Sequence, residues 1–173
     1  MLKLIRNIVT GSLAVLPLIV SVPAQASTTT STFAVTATVV NSCVINSASA
    51  LGFGNYDVNV GTAVNATSTI NVNCTKGDTY SIALNYGTHG GTAANRIMQD
   101  TGTDTLNYNL YTDSGYTLVW NNSCSTGNNC DSGTGAGPGV GNQQTYTVYG
   151  QIPAGQNVPA GGYSDTITVT VTF

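Results

Sequence analysis

The chain has 173 residues, four Lys or Arg against seven acidic residues, and only 6% of its positions are charged. All seven acids are aspartates, and there is one histidine. Cations this sparse exclude a basic nucleic-acid footprint, and so few titratable groups leave little for general acid–base catalysis.

Residues 1–26 read as a secretory signal peptide. Lys3 and Arg6 supply its positive start, Ile8 to Val22 its apolar stretch, and Ala24, Gln25 and Ala26 the small-residue cleavage site. A membrane anchor would need roughly 20 unbroken apolar residues, and Gly11 and Pro17 interrupt this run. Cleavage leaves 147 residues (173 minus 26) with two cations against seven aspartates, a net charge of 2 minus 7, or −5. That length fits one domain with a proper core. A lightly charged surface also repels its own copies weakly, which suits packing into a polymer.

After the leader, residues 27–41 form a Thr-rich extension in which Phe33, Val35, Ala37 and Val39 alternate with Ala34, Thr36, Thr38 and Val40. The same period of two returns along the chain. Ile70, Val72 and Cys74 alternate with asparagines, and Tyr80, Ile82, Leu84 and Tyr86 with Ser81, Ala83 and Asn85. Leu106, Tyr108 and Leu110 follow, then Tyr146 and Val148, and last Tyr163, Asp165, Ile167, Val169, Val171 and Phe173 against Ser164 and four threonines. Turn formers occupy 86–91, 100–104, 113–115, 127–141 and 153–162. Many short strands, each with one apolar face, predict an all-β, antiparallel, immunoglobulin-like β-sandwich.

The ends of this sandwich admit two readings. The extension and the final run can be ordinary first and last strands of one complete fold. Alternatively the chain stops at Phe173 in mid-strand, the sandwich lacks its closing strand, and a neighbour's extension fills the gap by β-augmentation. In that reading Phe33, Val35, Ala37 and Val39 are the donor strand, and Ile167, Val169, Val171 and Phe173 line the last strand of the acceptor groove. Thirteen residues, 29–41, reach ~43 Å when extended.

Four cysteines in an exported chain point to disulfides. Three pairings are possible. Cys124 and Cys130 flank a Ser-Thr-Gly-Asn-Asn turn and can close a local loop, leaving Cys43 and Cys74 for a longer staple. No C-x-x-C spacing suggests redox or metal chemistry.

Other chemistry fares no better. Asp100-Thr101-Gly102, Asp113-Ser114-Gly115 and Asp131-Ser132-Gly133 match the short string of aspartic proteases. They sit among Gly, Ser and Asn, where Asp and Gly serve turns. Asp100 and Asp104 lack the ligand ladder of a calcium loop. His89 lies in a Gly-rich turn with no acid beside it in sequence and reads as a lone surface histidine. Trp120, Tyr108, Tyr111 and Tyr116 could form a carbohydrate platform, but aromatics on strand positions are more often core. The expectation is no enzyme, no catalytic residue, no cofactor, no metal and no small-molecule substrate.

Leu106-Asn107-Tyr108-Asn109-Leu110-Tyr111 followed by Val119-Trp120 resembles the central motif of the spore coat protein U family, which includes the archaic chaperone–usher pilus subunits. Thr147-Val148-Tyr149-Gly150-Gln151-Ile152-Pro153-Ala154-Gly155-Gln156 and Pro159-Ala160-Gly161-Gly162-Tyr163-Ser164-Asp165 resemble its later signatures. The similarity runs from Cys43 to Phe173. It implies a domain over 42–173 that is an incomplete immunoglobulin-like fold, preceded by a donor extension over 27–41. Its implied partners are identical or related pilin subunits, a periplasmic chaperone and an outer-membrane usher. Its implied location is a surface pilus, reached through the periplasm and used in adhesion and biofilm formation. The family also implies that Phe173 and its carboxylate help anchor the chaperone. The alternative is a secreted, self-complete coat or glycan-binding sandwich.

Overall fold

A computed structural model describes residues 23–125, 127–139 and 142–173. The leader reading over 1–26 therefore lies mostly outside the described residues. The chain divides into two units, 1–37 and 38–173. In the first, residues 23–37 form no strand and every one of them is exposed, with Phe33 87% and Val35 84% accessible.

The second unit begins without regular pairing, and its first strand starts at the first cysteine. In chain order the strands are β1 (Cys43–Ala48), β2 (Val64–Cys74), β3 (Thr79–Leu84), β4 (Arg96–Gln99), β5 (Thr105–Tyr111), β6 (Asp131–Thr134), β7 (Gln144–Ile152) and β8 (Val169–Thr172). Two sheets result, ordered β1-β2-β7-β5-β4 and β6-β3-β8, and all pairs are antiparallel. This is the all-β sandwich that the alternation predicts.

Alternation fixes what each strand buries. Ile70, Val72 and Cys74 of β2, Tyr80, Ile82 and Leu84 of β3, Leu106, Tyr108 and Leu110 of β5, and Val148 and Ile152 of β7 form one core. Trp120, fully buried, plugs its centre and donates its indole N–H to the Ile82 carbonyl at 2.7 Å. Of the aromatics considered as a carbohydrate platform, Trp120 and Tyr108 are thus core. Tyr111 instead meets Tyr116 edge-on at 5.6 Å, and Tyr116 meets Tyr149 at 6.5 Å.

Four elements depart from the expectation. β1, β4 and β6 lie in stretches for which no alternation was read, and β6 falls within the region read as a turn. The last strand is also shorter than its pattern, because Tyr163 to Thr168 do not join the ladder. Val169 pairs with Leu84, the last residue of β3, so the partner strand ends there. Upstream, the N–H of Thr168 is taken by the Asn85 side chain at 2.9 Å and that of Thr166 by the Asp165 carboxylate at 2.8 Å. Only one bridge, Ser164 to Gln99, reaches the other sheet.

Cys43 and Cys74 face each other in the β1–β2 register and are disulfide-bonded, as are Cys124 and Cys130 around their turn. The first bridge spans 31 residues. In the chain-entropy model such a loop contributes about 3–4 kcal/mol. Replacing both Cys43 and Cys74 by serine is expected to lower the urea-unfolding free energy of the folded unit by that amount and to raise the m-value, because the unfolded chain loses a constraint and exposes more surface.

Candidate functional site

Each sheet ends in a strand with one unpaired side. Among the described residues, β1 is bonded to β2 alone, and β8 to β3 alone. Between these two edges the sandwich opens into a groove of about 400 Å³ that reaches the core. Its floor is Ile70, Val148, Leu110 and Tyr108, and its walls are Leu84, Ile167 and Val169 on one side and Ala48 to Leu51 on the other. A second hollow of about 650 Å³ continues from it toward Leu106, Ile152, Val158 and Tyr163. Leu51, Phe53 and Met98 line both.

The apolar row on the last strand borders this opening. Ile167 and Val169 line the groove, Val171 packs half-buried against the core from β8, and Phe173 is 55% exposed. In a closed sandwich such an inward row would be covered on both sides. Here its free flank offers unpaired backbone groups beside apolar side chains, which invites another strand.

One wall of the groove is polar. Asp165 accepts hydrogen bonds from the Tyr108 hydroxyl at 2.7 Å and from the Thr88 N–H and hydroxyl at 2.8 and 3.0 Å. His89 Nδ1 stands 3.2 Å from the same carboxylate. The sequence placed no acid beside His89; the fold brings one from across the chain, so the histidine is not alone. Burial pushes the Asp165 carboxyl up, but the N–H groups of Thr88 and Thr166 and the Tyr108 hydroxyl outweigh it and hold the group below its ordinary value of 3.8. Burial and the bond to Asp165 push the Tyr108 phenol well above its usual range. Gly87 is required here, since a Cβ on it would collide with the Asp165 carboxylate.

A depressed carboxylate contributes stability above the pKa it has in the unfolded chain, and that contribution is lost as pH falls through the folded value. Asp165→Asn is therefore expected to cost about 1.5–3 kcal/mol at pH 7. The gap to the parent should narrow as pH falls below about 4. Urea melts at pH 7 and pH 3 read this directly.

Behind the groove lies a buried cation that sequence reasoning counted only as charge. Arg96, fully buried, donates Nε to the Asn85 carbonyl (2.9 Å), Nη1 to Asn109 Oδ1 (2.6 Å), and Nη2 to the carbonyls of Trp120 (2.6 Å) and Leu84 (3.1 Å). Its guanidinium also sits 5.3 Å from the Tyr86 ring. Burial lowers its pKa to about 10, so it stays charged at neutral pH and ties the ends of β3 and β4 together. The signal that could have found it is compositional: beyond residue 26 the chain carries two cations, Lys76 and Arg96.

The acidic turns serve their own backbone. Asp100 accepts the N–H groups of Gly102 and Asp104, and Asp113 those of Gly115, Thr117 and Leu118. Asp131 lies in β6, paired with Ile82.

The candidate donor residues form no strand. Phe33 and Val35 belong to the first unit, and Val39, in the second, is 81% exposed. An apolar row held out in water on an unpaired segment is costly unless it has a partner.

Comparison with known proteins adds to this geometry. Protein U of Myxococcus xanthus is 36% identical over 185 residues, covering 98% of both chains. A chain of the crystallised CsuC–CsuE chaperone–tip adhesion subunit pre-assembly complex, from the archaic chaperone-usher Csu pili of Acinetobacter baumannii, superposes with a TM-score of 0.51 at 28% identity. That match covers 79% of this chain and 40% of the other, so this chain spans two-fifths of the solved one. The model of the Spore Coat Protein U domain matches residues 29–170, the extended segment included. The chain belongs to the Spore Coat Protein U domain family.

Proposed function

We propose that this protein is a structural pilus subunit that polymerises by donor-strand complementation. The observation that carries the reading is one chain holding both halves of a joint: an exposed apolar row on a strandless extension, and an apolar groove between two unpaired sheet edges. Phe33, Val35, Ala37 and Val39 of one copy enter the groove of the next and extend β8 through main-chain bonds. The large side chains contribute roughly 1.5–3 kcal/mol each on full burial, and the main-chain bonds about 0.5–1.5 kcal/mol each. Such a joint holds without ATP.

An open groove on a newly exported subunit is an aggregation hazard. A periplasmic chaperone strand covering it until an outer-membrane usher delivers the subunit removes that hazard. The similarity to a chain of a chaperone–subunit complex supports the chaperone, and export of residues 27–173 after cleavage supplies the route. The fibre then serves adhesion and biofilm formation at the cell surface. The identity to protein U, shared over nearly the full length of both chains, favours a second destination for the same joint, a secreted coat.

Periplasmic extracts test the joint. Assembly gives a ladder of SDS-resistant multimers that collapses on boiling, and deletion of residues 27–41 removes it. A monomer unaffected by that deletion would refute the proposal.

A further inference from the structure

The chain has nine tyrosines. Six of them, Tyr56, Tyr80, Tyr86, Tyr108, Tyr146 and Tyr163, have their hydroxyls hydrogen-bonded within the fold. The other three are Tyr111, Tyr116 and Tyr149. Among the described residues their hydroxyls have no protein partner, and none of the three is a buried, unsatisfied group, so all three oxygens reach solvent. These three also pack together: Tyr116 stands perpendicular to Tyr111 and to Tyr149, at 5.6 and 6.5 Å.

The sheet sets two of the rings side by side. Tyr111 and Tyr149 are opposite each other in the β5–β7 register, and Thr67 of β2 lies opposite Tyr149 on its other flank. Leu110 and Val148, the residues before them, point into the core, so this row faces the other way, away from the groove. Tyr116 joins them from the turn after β5. Its φ is +54°, and among the described residues no other non-glycine has a positive φ. A bulky residue in that region is strained and persists only where its surroundings hold it. The Asp113 carboxylate does so, accepting the N–H groups of Gly115, Thr117 and Leu118 at 3.1, 3.0 and 2.7 Å. The strained turn thus adds a third ring to two that the sheet already presents.

The surroundings are neutral. β2, β5 and β7 contain no charged residue. Beside the rings, Thr67, Thr147, Gln151 and Asn65 offer hydroxyls and amides, which both donate and accept hydrogen bonds. A sugar ring has apolar C–H faces and a rim of hydroxyls. Its faces pack on aromatic rings, and its rim bonds to phenols, amides and hydroxyls. A surface without cations gives no purchase to nucleic acid, acidic polysaccharide or anionic lipid.

We infer that the outer face of β5 and β7 binds an extended neutral polysaccharide, with Tyr111, Tyr116 and Tyr149 as its stacking platform. Of the four aromatics that the sequence offers for such a platform, the fold withdraws Trp120 and Tyr108 into the core and supplies Tyr149 instead. The site lies on the sheet face opposite the groove, so it does not depend on how subunits join.

Affinity electrophoresis of the purified, exported full chain tests it, in gels containing hydroxyethylcellulose, dextran, galactomannan or the acidic polysaccharide alginate. At least one neutral polymer should retard the protein, and alginate should not. Tyr116→Gly keeps the left-handed backbone without steric cost and should weaken the retardation at least tenfold, with the melt still cooperative and the SDS-resistant ladder unchanged. Tyr149→Ala, made separately, should do the same. Retardation by none of the neutral polymers, or as strongly by alginate, overturns the inference. So does full retardation of both folded variants. A ladder lost together with the retardation also overturns it, because the face is then a contact between copies. An intact ladder with no retardation leaves donor-strand assembly standing alone.

Discussion

Replacing Phe33, Val35 and Val39 together by aspartate is expected to abolish the multimer ladder without changing the thermal melt of the monomer. The melt should hold because these side chains are 87, 84 and 81% exposed in the free chain and contribute nothing to its core. Under the proposed donor-strand assembly the ladder should fail, because their burial would be most of the joint. Three large apolar side chains entering the groove contribute on the order of 5–10 kcal/mol before ordering costs. Three carboxylates entering it instead have no cationic partner among the groove-lining residues, so each desolvation is uncompensated.

The variant keeps its own groove, and that gives a second readout. Mixed with the parent, it should accept a donor but donate none, so it caps growing polymers and shortens the ladder in proportion to its share. Sedimentation of mixtures measures the length distribution. An unshortened distribution would show that donor and acceptor are not the two halves of one joint.

Arg96→Met is expected to cost about 3–5 kcal/mol, a large part of a domain stability of roughly 5–15 kcal/mol. Buried cations are often replaceable by apolar residues at little cost, because their partners can be removed with them. Here they cannot be. Three of the four acceptors are main-chain carbonyls, of Leu84, Asn85 and Trp120, and they stay buried when the guanidinium goes. Each orphaned carbonyl costs about 1–3 kcal/mol, offset in part by no longer desolvating a charge. Arg96→Lys should recover only a fraction, since a single ammonium cannot match the planar fork that reaches four acceptors. Urea midpoints followed by Trp120 fluorescence give both values, because the indole is bonded into the same region. A loss below about 1 kcal/mol for Arg96→Met would mean the carbonyls find other donors.

These two results separate assembly from folding. The donor variant removes the polymer and spares the monomer, whereas the arginine variant weakens the monomer and the polymer only through it. Asp165 stands between them, because its carboxylate lines the groove and also ties the 87–89 turn to the segment before β8.

The sequence by itself determined the fold class and most of the core, since a period of two states which face of each strand is buried. Ile70, Val72, Tyr80, Ile82, Leu84, Leu106, Tyr108 and Leu110 are buried where alternation places them inward. It also marked Phe33, Val35, Ala37 and Val39 as an apolar row ahead of the first cysteine. Strand order was not legible, because alternation does not say which edges meet. β4 and β6 escaped because four-residue strands are too short to show a period, and β1 because it buries neither face fully. The contact between His89 and Asp165 joins residues 76 apart, and the Arg96 carbonyl cage is built from chain segments that only folding brings together. The place of Leu51 and Phe53 over Gly150 is of the same kind: they sit in a stretch with no period, and close packing against a residue without a Cβ puts them there. Local pattern specifies what is buried; only the tertiary structure decided which buried surfaces were left without a partner.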